Sequence, residues 1–182
     1  MNVFENYYKK IITQDLTNKF IFKNNKSLPK LEKITLNFGC QNLSIQKFAE
    51  TILALELIAL KKGTITTTRK PNVVLKIQKG QPAGCKVELK NSQMYTFLTK
   101  LNIEILPKLK NFRKFQLNKQ MCNFFFQIPG TEIRLKEFED HYPLFSNFPT
   151  LDINILTNTK NTNEILFLAK SLKLPLFHKK KT

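Results

Sequence analysis

With 182 residues and 42% hydrophobic side chains, the chain is long enough to bury one ordinary core and too apolar for wholesale disorder. Five Gly and eight Pro exclude collagen-like and linker-type chains. Thirty Lys and Arg against thirteen Asp and Glu leave a net charge of +17, an excess that repels itself in the compact state and persists where a polyanion neutralises it.

In chain order, residues 7–22 place Tyr8, Ile11, Ile12 and Leu16 at helical spacing, which predicts an amphipathic helix within an N-terminal arm, residues 1–28. Pro29 opens a strand with Ile34, Leu36 and Phe38 on one face and Lys33, Thr35 and Asn37 on the other, ended by Gly39. Ser44 is the expected N-cap of a helix through Leu60, with Ile45, Phe48, Ala49, Ile52 and Ala59 inward and Gly63 closing it. Residues 64–69 are β-branched and polar, hence extended. Residues 70–84, punctuated by Gly80, Pro82 and Gly84, read as an extended cationic loop or hairpin, and Cys85, Val87 and Leu89 as the inward side of the next strand. A helix from about Ser92 buries Met94, Phe97, Leu98, Leu101 and Ile105, with Pro107 in or just beyond its last turn. An irregular segment over 114–122 precedes a strand from Phe124 to Ile128. Leu151, Ile153 and Ile155 form a last strand. Asn161 with Glu164 suggests a capping box for a final helix burying Ile165, Leu168, Ala169 and Leu172 before Pro175. The order predicts one α+β two-layer domain over 1–182: a mostly antiparallel sheet packed against helices, plus an extended basic hairpin loop.

Charge is uneven along the chain. Residues 61–119 hold twelve Lys and two Arg against only Glu88 and Glu104, whereas between 131 and 152 Glu132, Glu137, Glu139, Asp140 and Asp152 face only Arg134 and Lys136. That asymmetry points to two kinds of partner. Cys40, Cys85 and Cys122 are scattered and odd in number, which argues for buried structural thiols rather than a disulfide framework, and the two histidines make no metal-ligand spacing, so neither metal nor cofactor is expected. The longest apolar run, 51–60, contains Glu56 and falls far short of the ~20 residues of a bilayer span.

Phosphate-binding and nucleophile-elbow motifs are absent, and Asp140-His141 lacks a nucleophile to serve, so no enzyme is expected. Nucleic-acid features are stronger. Lys33, Thr35 and Asn37 set a cation, a hydroxyl and an amide in a row, suited to phosphate and 2′-hydroxyl contacts on RNA, although a plain solvent-facing strand has the same pattern. Arg69, Lys70, Lys76, Lys79 and Lys86 lie in eighteen residues free of acids, unlike an ordinary mixed-sign surface. The basic tail at 179–181 reads as frayed.

These residues carry a resemblance. The stretch 29–37 resembles the P-R-V-E-K-I-T-L-N strand of the ribosomal protein L-five family, large-subunit proteins that bind 5S rRNA. Ile65 to Lys70 and Gly80 to Val87 resemble its I-T-x-A-[RK]-K…G-x-P-I-G-x-x-V hairpin, and residues 107–113 its P-R-I-R-D-F-R. The opening Asn6-Tyr7-Tyr8-Lys9, the strand 151–155 and Leu174-Pro175-Leu176-Phe177 fit the family's ends. Two departures stand out: the F-D-G-x-G-N-Y segment keeps Asn123-Phe124 but loses both glycines, and Val73-Val74 replaces small residues in the hairpin.

The resemblance implies a non-enzymatic constituent of the large ribosomal subunit, in the central protuberance among other proteins there. It implies contacts to 5S rRNA, where the ribosome has one, and to large-subunit rRNA through Lys33, Thr35, Asn37, Thr66, Arg69, Lys86 and Arg113. A loop with Lys70, Lys76, Gln78 and Lys79 is expected to face peptidyl-site tRNA. Glu132, Glu137, Glu139 and Asp140 are expected to bridge to small-subunit head protein thirteen. Rival readings are a free-standing RNA-binding protein or chaperone, and a cationic membrane-surface protein, which the placement of lysines in strands and a loop disfavours. Lys outnumbers Arg 27 to 3, with 18 Asn and 16 Phe, a composition of A- and T-rich codons. With no presequence visible before the family's N-terminus, it suggests an organelle-encoded, mitochondrial protein; an AT-rich bacterium or a plastid is the alternative.

Overall fold

Alternation sets the first strand, Leu31–Gly39 (β1), in which Ile34, Leu36 and Phe38 are fully buried while Lys33, Thr35 and Asn37 are half-buried on the opposite face. Leu31 is also buried, out of phase with Ile34, because the pairing register slips between Leu31 and Lys33. The computed structural model describes residues 3–24, 27–40, 44–71, 73–74, 77–109, 116–118 (backbone), 123–141, 144–145, 148–159 and 161–174. Of the sequence expectations, Lys76, Arg113, Cys122, Pro175 and the tail at 179–181 lie outside the described residues.

Among the described residues six strands make one antiparallel sheet, ordered β2-β3-β1-β6-β5-β4, with β2 at Thr64–Thr67, β3 at Pro82–Leu89, β4 at Gln116–Asn118, β5 at Asn123–Ile128 and β6 at Leu151–Thr157. Two sequence readings are corrected here. Pro82, Ala83 and Gly84 belong to β3 rather than to the 70–84 loop: Thr67 pairs with Pro82, the first residue of the strand and next to a register irregularity, where a missing proline N–H is tolerated. Gly84 is required by close approach: a Cβ there would strike the carbonyl oxygen of Phe38. The irregular segment before β5 contains β4, a strand of three residues that pairs Leu117 with Phe124 and is too short to show a period.

The buried face of the sheet takes the helices. Three consecutive helical runs, Val3–Tyr7 (α1), a π-helical turn Tyr8–Ile12 and Thr13–Lys19 (α2), carry Tyr8, Ile12 and Leu16 into the core, while Ile11 stays exposed. The Tyr8 hydroxyl donates to the Pro29 carbonyl at 2.7 Å, and burial pushes its phenol up to about 12. In Ile45–Ala59 (α3) the buried stripe is Thr51, Ala54, Leu55, Ile58 and Ala59; Ile45 and Ala49 face solvent, contrary to expectation. The helix is apolar on more than one side, so periodicity alone does not choose its inner face. Ser44 caps it by accepting from the Lys47 N–H. It ends at Leu60 in the left-handed conformation (φ 51°), not at Gly63, whose N–H instead donates to Glu56 Oε1 at 2.8 Å.

Asn91–Lys100 (α4) runs on through a π-helical turn, Leu101–Ile105, and a 3-10 turn, Leu106–Lys108, that holds Pro107; it buries all five expected residues and Tyr95. A short helix, Lys136–Glu139 (α5), places Phe138 against Phe145 and Phe148, and Phe148 reaches Phe38 of β1, so this segment joins the helical layer. Thr162–Ser171 (α6) buries Ile165, Leu168 and Ala169. Its capping box does not form: Asn161 Nδ2 donates to Glu164 Oε1 at 2.6 Å, and neither side chain bonds the helix backbone. The result is the α+β two-layer arrangement, sheet against helices, around one apolar core. Cys40 and Cys85 are buried free thiols; a shared hydrogen bond with Cys40 and burial hold the Cys85 thiol protonated.

Candidate RNA-binding surface

The face of the sheet turned away from the core is mostly polar among the described residues, because the strands alternate and antiparallel register aligns the outward residues; Phe125 and Leu156 are its apolar members. One row reads Thr64, Lys86, Asn37, Asp152 and Gln127; the next reads Glu88, Thr35, Asn154 and Phe125. Lys33 lies opposite Leu156, and Thr66 opposite Gly84. The structure therefore brings Lys33, Thr35, Asn37, Thr66 and Lys86 onto one face. Asn37 and Thr35, at its centre, make no side-chain hydrogen bond with any described residue, so their donors and acceptors remain open to a ligand.

Electrostatics at the centre differ from a plain cationic patch. Glu88 holds Lys33 Nζ at 3.4 Å and Lys86 Nζ at 3.6 Å, and the Lys33 charge, with that of Lys86, keeps its carboxyl below the usual range. On the other side of Asn37, Gln127 Nε2 donates to Asp152 Oδ1 at 2.9 Å. Further along, Asn154 Oδ1 and Asn123 Oδ1 are buried without a partner among the described residues, although Asn123 is only 7% exposed. Glu88, Asp152, Asn154 and Gln127 were not singled out by sequence. Their outward phase is readable in Lys-Val-Glu-Leu-Lys and Leu-Asp-Ile-Asn-Ile, but which of them flank Asn37 depends on strand order.

The other groups fall elsewhere. Arg69, Lys70, Gln78 and Lys79 are exposed in the connection between β2 and β3, and the three cations make no ion pair with any described residue. The neck of this loop is closed by Thr68, whose N–H donates to the Gln81 carbonyl at 2.9 Å and whose hydroxyl donates to the Gln78 carbonyl at 2.6 Å. Glu132, Glu137, Glu139 and Asp140 lie on the helical side. Glu137, Glu139 and Asp140 are exposed, whereas Glu132 is half-buried with Oε2 unpartnered among the described residues. Lys100, its side chain 9% exposed, donates to the Leu57 carbonyl at the end of α3 and to Glu137 Oε1, both at 3.2 Å. A backbone N–H, then Lys100, hold the Glu137 carboxyl below its usual range.

The family model for the C-terminus of ribosomal L5 proteins matches residues 82–176. Large ribosomal subunit protein uL5 of Wolbachia pipientis wMel is 34% identical over 177 residues, 96% of this chain and 99% of the relative. The chain belongs to the ribosomal L5 family. Similar agreement holds with uL5 of Nitrosomonas europaea, 32% identical over 93% of this chain and 95% of the relative, and of Wigglesworthia glossinidia brevipalpis, 34% over 93% and 96%. As an L5-family member the chain is a structural ribosomal protein and not an enzyme. Among the described residues no His, Cys, Asp and Glu cluster could hold a metal ion, and no helix is long and apolar enough to cross a membrane.

Proposed function

We propose that this large-subunit ribosomal protein docks on rRNA through the outer sheet face, with Asn37 and Thr35 reading a fixed RNA shape and Lys33, Lys86 and Thr66, helped by Arg69 of the adjoining loop, positioning the backbone. The observation that carries the reading is a sheet whose one side receives the helices while the centre of the other stays polar, with Asn37 and Thr35 unpartnered among the described residues. By the family resemblance, the RNA is 5S rRNA, where present, together with large-subunit rRNA of the central protuberance. The β2–β3 loop, with Lys70, Gln78 and Lys79, faces peptidyl-site tRNA; Lys76 and Arg113 are assigned by resemblance alone. The acidic segment, on the opposite layer from the RNA face, suits a basic small-subunit head protein through exposed pairs of ~0.2–1 kcal/mol each. The lysine-, asparagine- and phenylalanine-rich composition supports an organelle-encoded protein of a mitochondrial ribosome.

Affinity for 5S and large-subunit rRNA transcripts, measured across a salt series, tests the division of labour. Asn37→Ala is expected to weaken binding by about 1–3 kcal/mol at an unchanged salt slope. Lys79→Gln is expected to flatten the slope by about one unit with selectivity intact. Equal slope changes, or an indifferent Asn37, would overturn the assignment, as would failure to co-sediment with large subunits.

A further inference from the structure

Two lysines on a bare polar sheet grip any phosphate, and a protein built so binds RNA of every sequence. Here Lys33 and Lys86, two cations of the outer face, share one carboxylate. Glu88 sits on β3 directly opposite Thr35, two residues along the strand from Lys86 and diagonal to Lys33. We propose that Glu88 is a selectivity residue of the RNA surface: it blocks phosphate from settling between Lys33 and Lys86 and offers an acceptor, beside Thr35, to a hydrogen-bond donor on the RNA.

Three observations carry this. The contacts, at 3.4 and 3.6 Å, are longer than the ~2.7–2.9 Å of tight charge-assisted bonds, so the carboxylate is held in place without its acceptor capacity being used up. Its side chain is 38% exposed, within reach of a ligand on the face. An ionised carboxylate only accepts hydrogen bonds and repels phosphate; a ribose 2′-hydroxyl or a base amino group is the complementary partner. The neighbouring row repeats the pattern, since Asn37 lies between Lys86 and Asp152. The centre of the face is thus alternating in sign, a surface that tolerates a donor-bearing edge and disfavours a run of phosphates.

This inference rests on the rRNA reading above, and its test separates the two. Full-length wild type and Glu88→Gln are titrated with the large-subunit rRNA transcript, 5S rRNA and poly(U) over a salt series. For Glu88→Gln, poly(U) is expected to bind about 3- to 10-fold tighter, with a salt slope steeper by about one unit, so that the rRNA-to-poly(U) preference collapses. Transcripts carrying 2′-deoxyribose, or inosine in place of guanosine, identify the donor: one of them should weaken the wild type more than Glu88→Ala, which has no acceptor there, whereas glutamine keeps one. A variant that keeps the wild-type preference and slope, or a wild type indifferent to both substitutions, overturns the role of Glu88 alone. A wild type without preference for rRNA overturns the rRNA reading and this inference with it.

Discussion

The two sides of β1 obey different rules. Its inner side, Ile34, Leu36 and Phe38, is defined by what it excludes: all three are fully buried, and any well-packed apolar residue of similar volume serves there. Its outer side, Lys33, Thr35 and Asn37, is defined by its cross-strand neighbours: Glu88 and Asn154 flank Thr35, and Lys86 and Asp152 flank Asn37. The same nine residues thus encode stability on one side and, on the proposed reading, recognition on the other. Pattern is enough to specify the first, whereas the second is assembled from three strands distant in sequence.

Breaking the inner side should produce the largest effect in the molecule. Phe38→Ala is expected to cost about 3–5 kcal/mol in urea unfolding, since it empties a fully buried site that also touches Phe148. The folded fraction should retain its rRNA preference, in contrast to Asn37→Ala, which spares stability and weakens binding. If Phe38→Ala changed selectivity at constant stability, the separation of the two faces would fail.

A smaller and opposite effect is expected at the end of α3. Leu60 adopts φ 51° while 64% exposed, so its side chain gains little burial for an unfavourable backbone. Leu60→Gly should stabilise by about 0.5–1 kcal/mol, read as a higher urea midpoint, with RNA binding unchanged because the site lies in the helical layer.

Acid should produce the smallest change. Glu88 and Glu137 both have carboxyls held below their ordinary value of 4.5, so each adds stability above that pH and loses it as the pH falls through the lowered value. Both side chains are more than a third exposed, which limits the contribution. The urea midpoint should be flat from neutrality to about pH 5 and fall below it, and Lys100→Met should shallow that fall.

Most of the sheet and the α4 and α6 stripes are legible in the sequence because period and burial coincide there. Met94, Phe97, Leu98, Leu101 and Ile105 repeat at helical spacing, and all five are buried. The inner face of α3 is not legible, since Ile45, Phe48 and Ile52 compete with Ala54, Leu55 and Ile58 for the same core. The three-residue β4 and four-residue α5 are too short to carry a period. On the candidate surface, Lys33, Thr35 and Asn37 are visible from alternation within one strand. Glu88 and Asp152 are visible as outward residues, but their roles depend on β1 lying between β3 and β6, which no local pattern states.

That central position of β1 also orders events in time. The strand is made early, pairs with β3 about fifty residues later, and receives β6 only when residues 151–157 have been synthesised. Asn158 then locks the junction, its Nδ2 donating to the Leu28 carbonyl at 2.9 Å and its Oδ1 accepting from the Lys30 N–H at 2.7 Å. Contacts of such sequence separation cannot close before the intervening chain exists, and they cost its loop-closure entropy. A nascent chain therefore carries half of the proposed RNA surface, Lys86 and Glu88 beside Thr35 and Asn37, with Asp152 and Asn154 still missing. On the proposed reading, competence to join RNA waits for residues 151–157, so the topology itself would keep copies truncated before them out of an assembly.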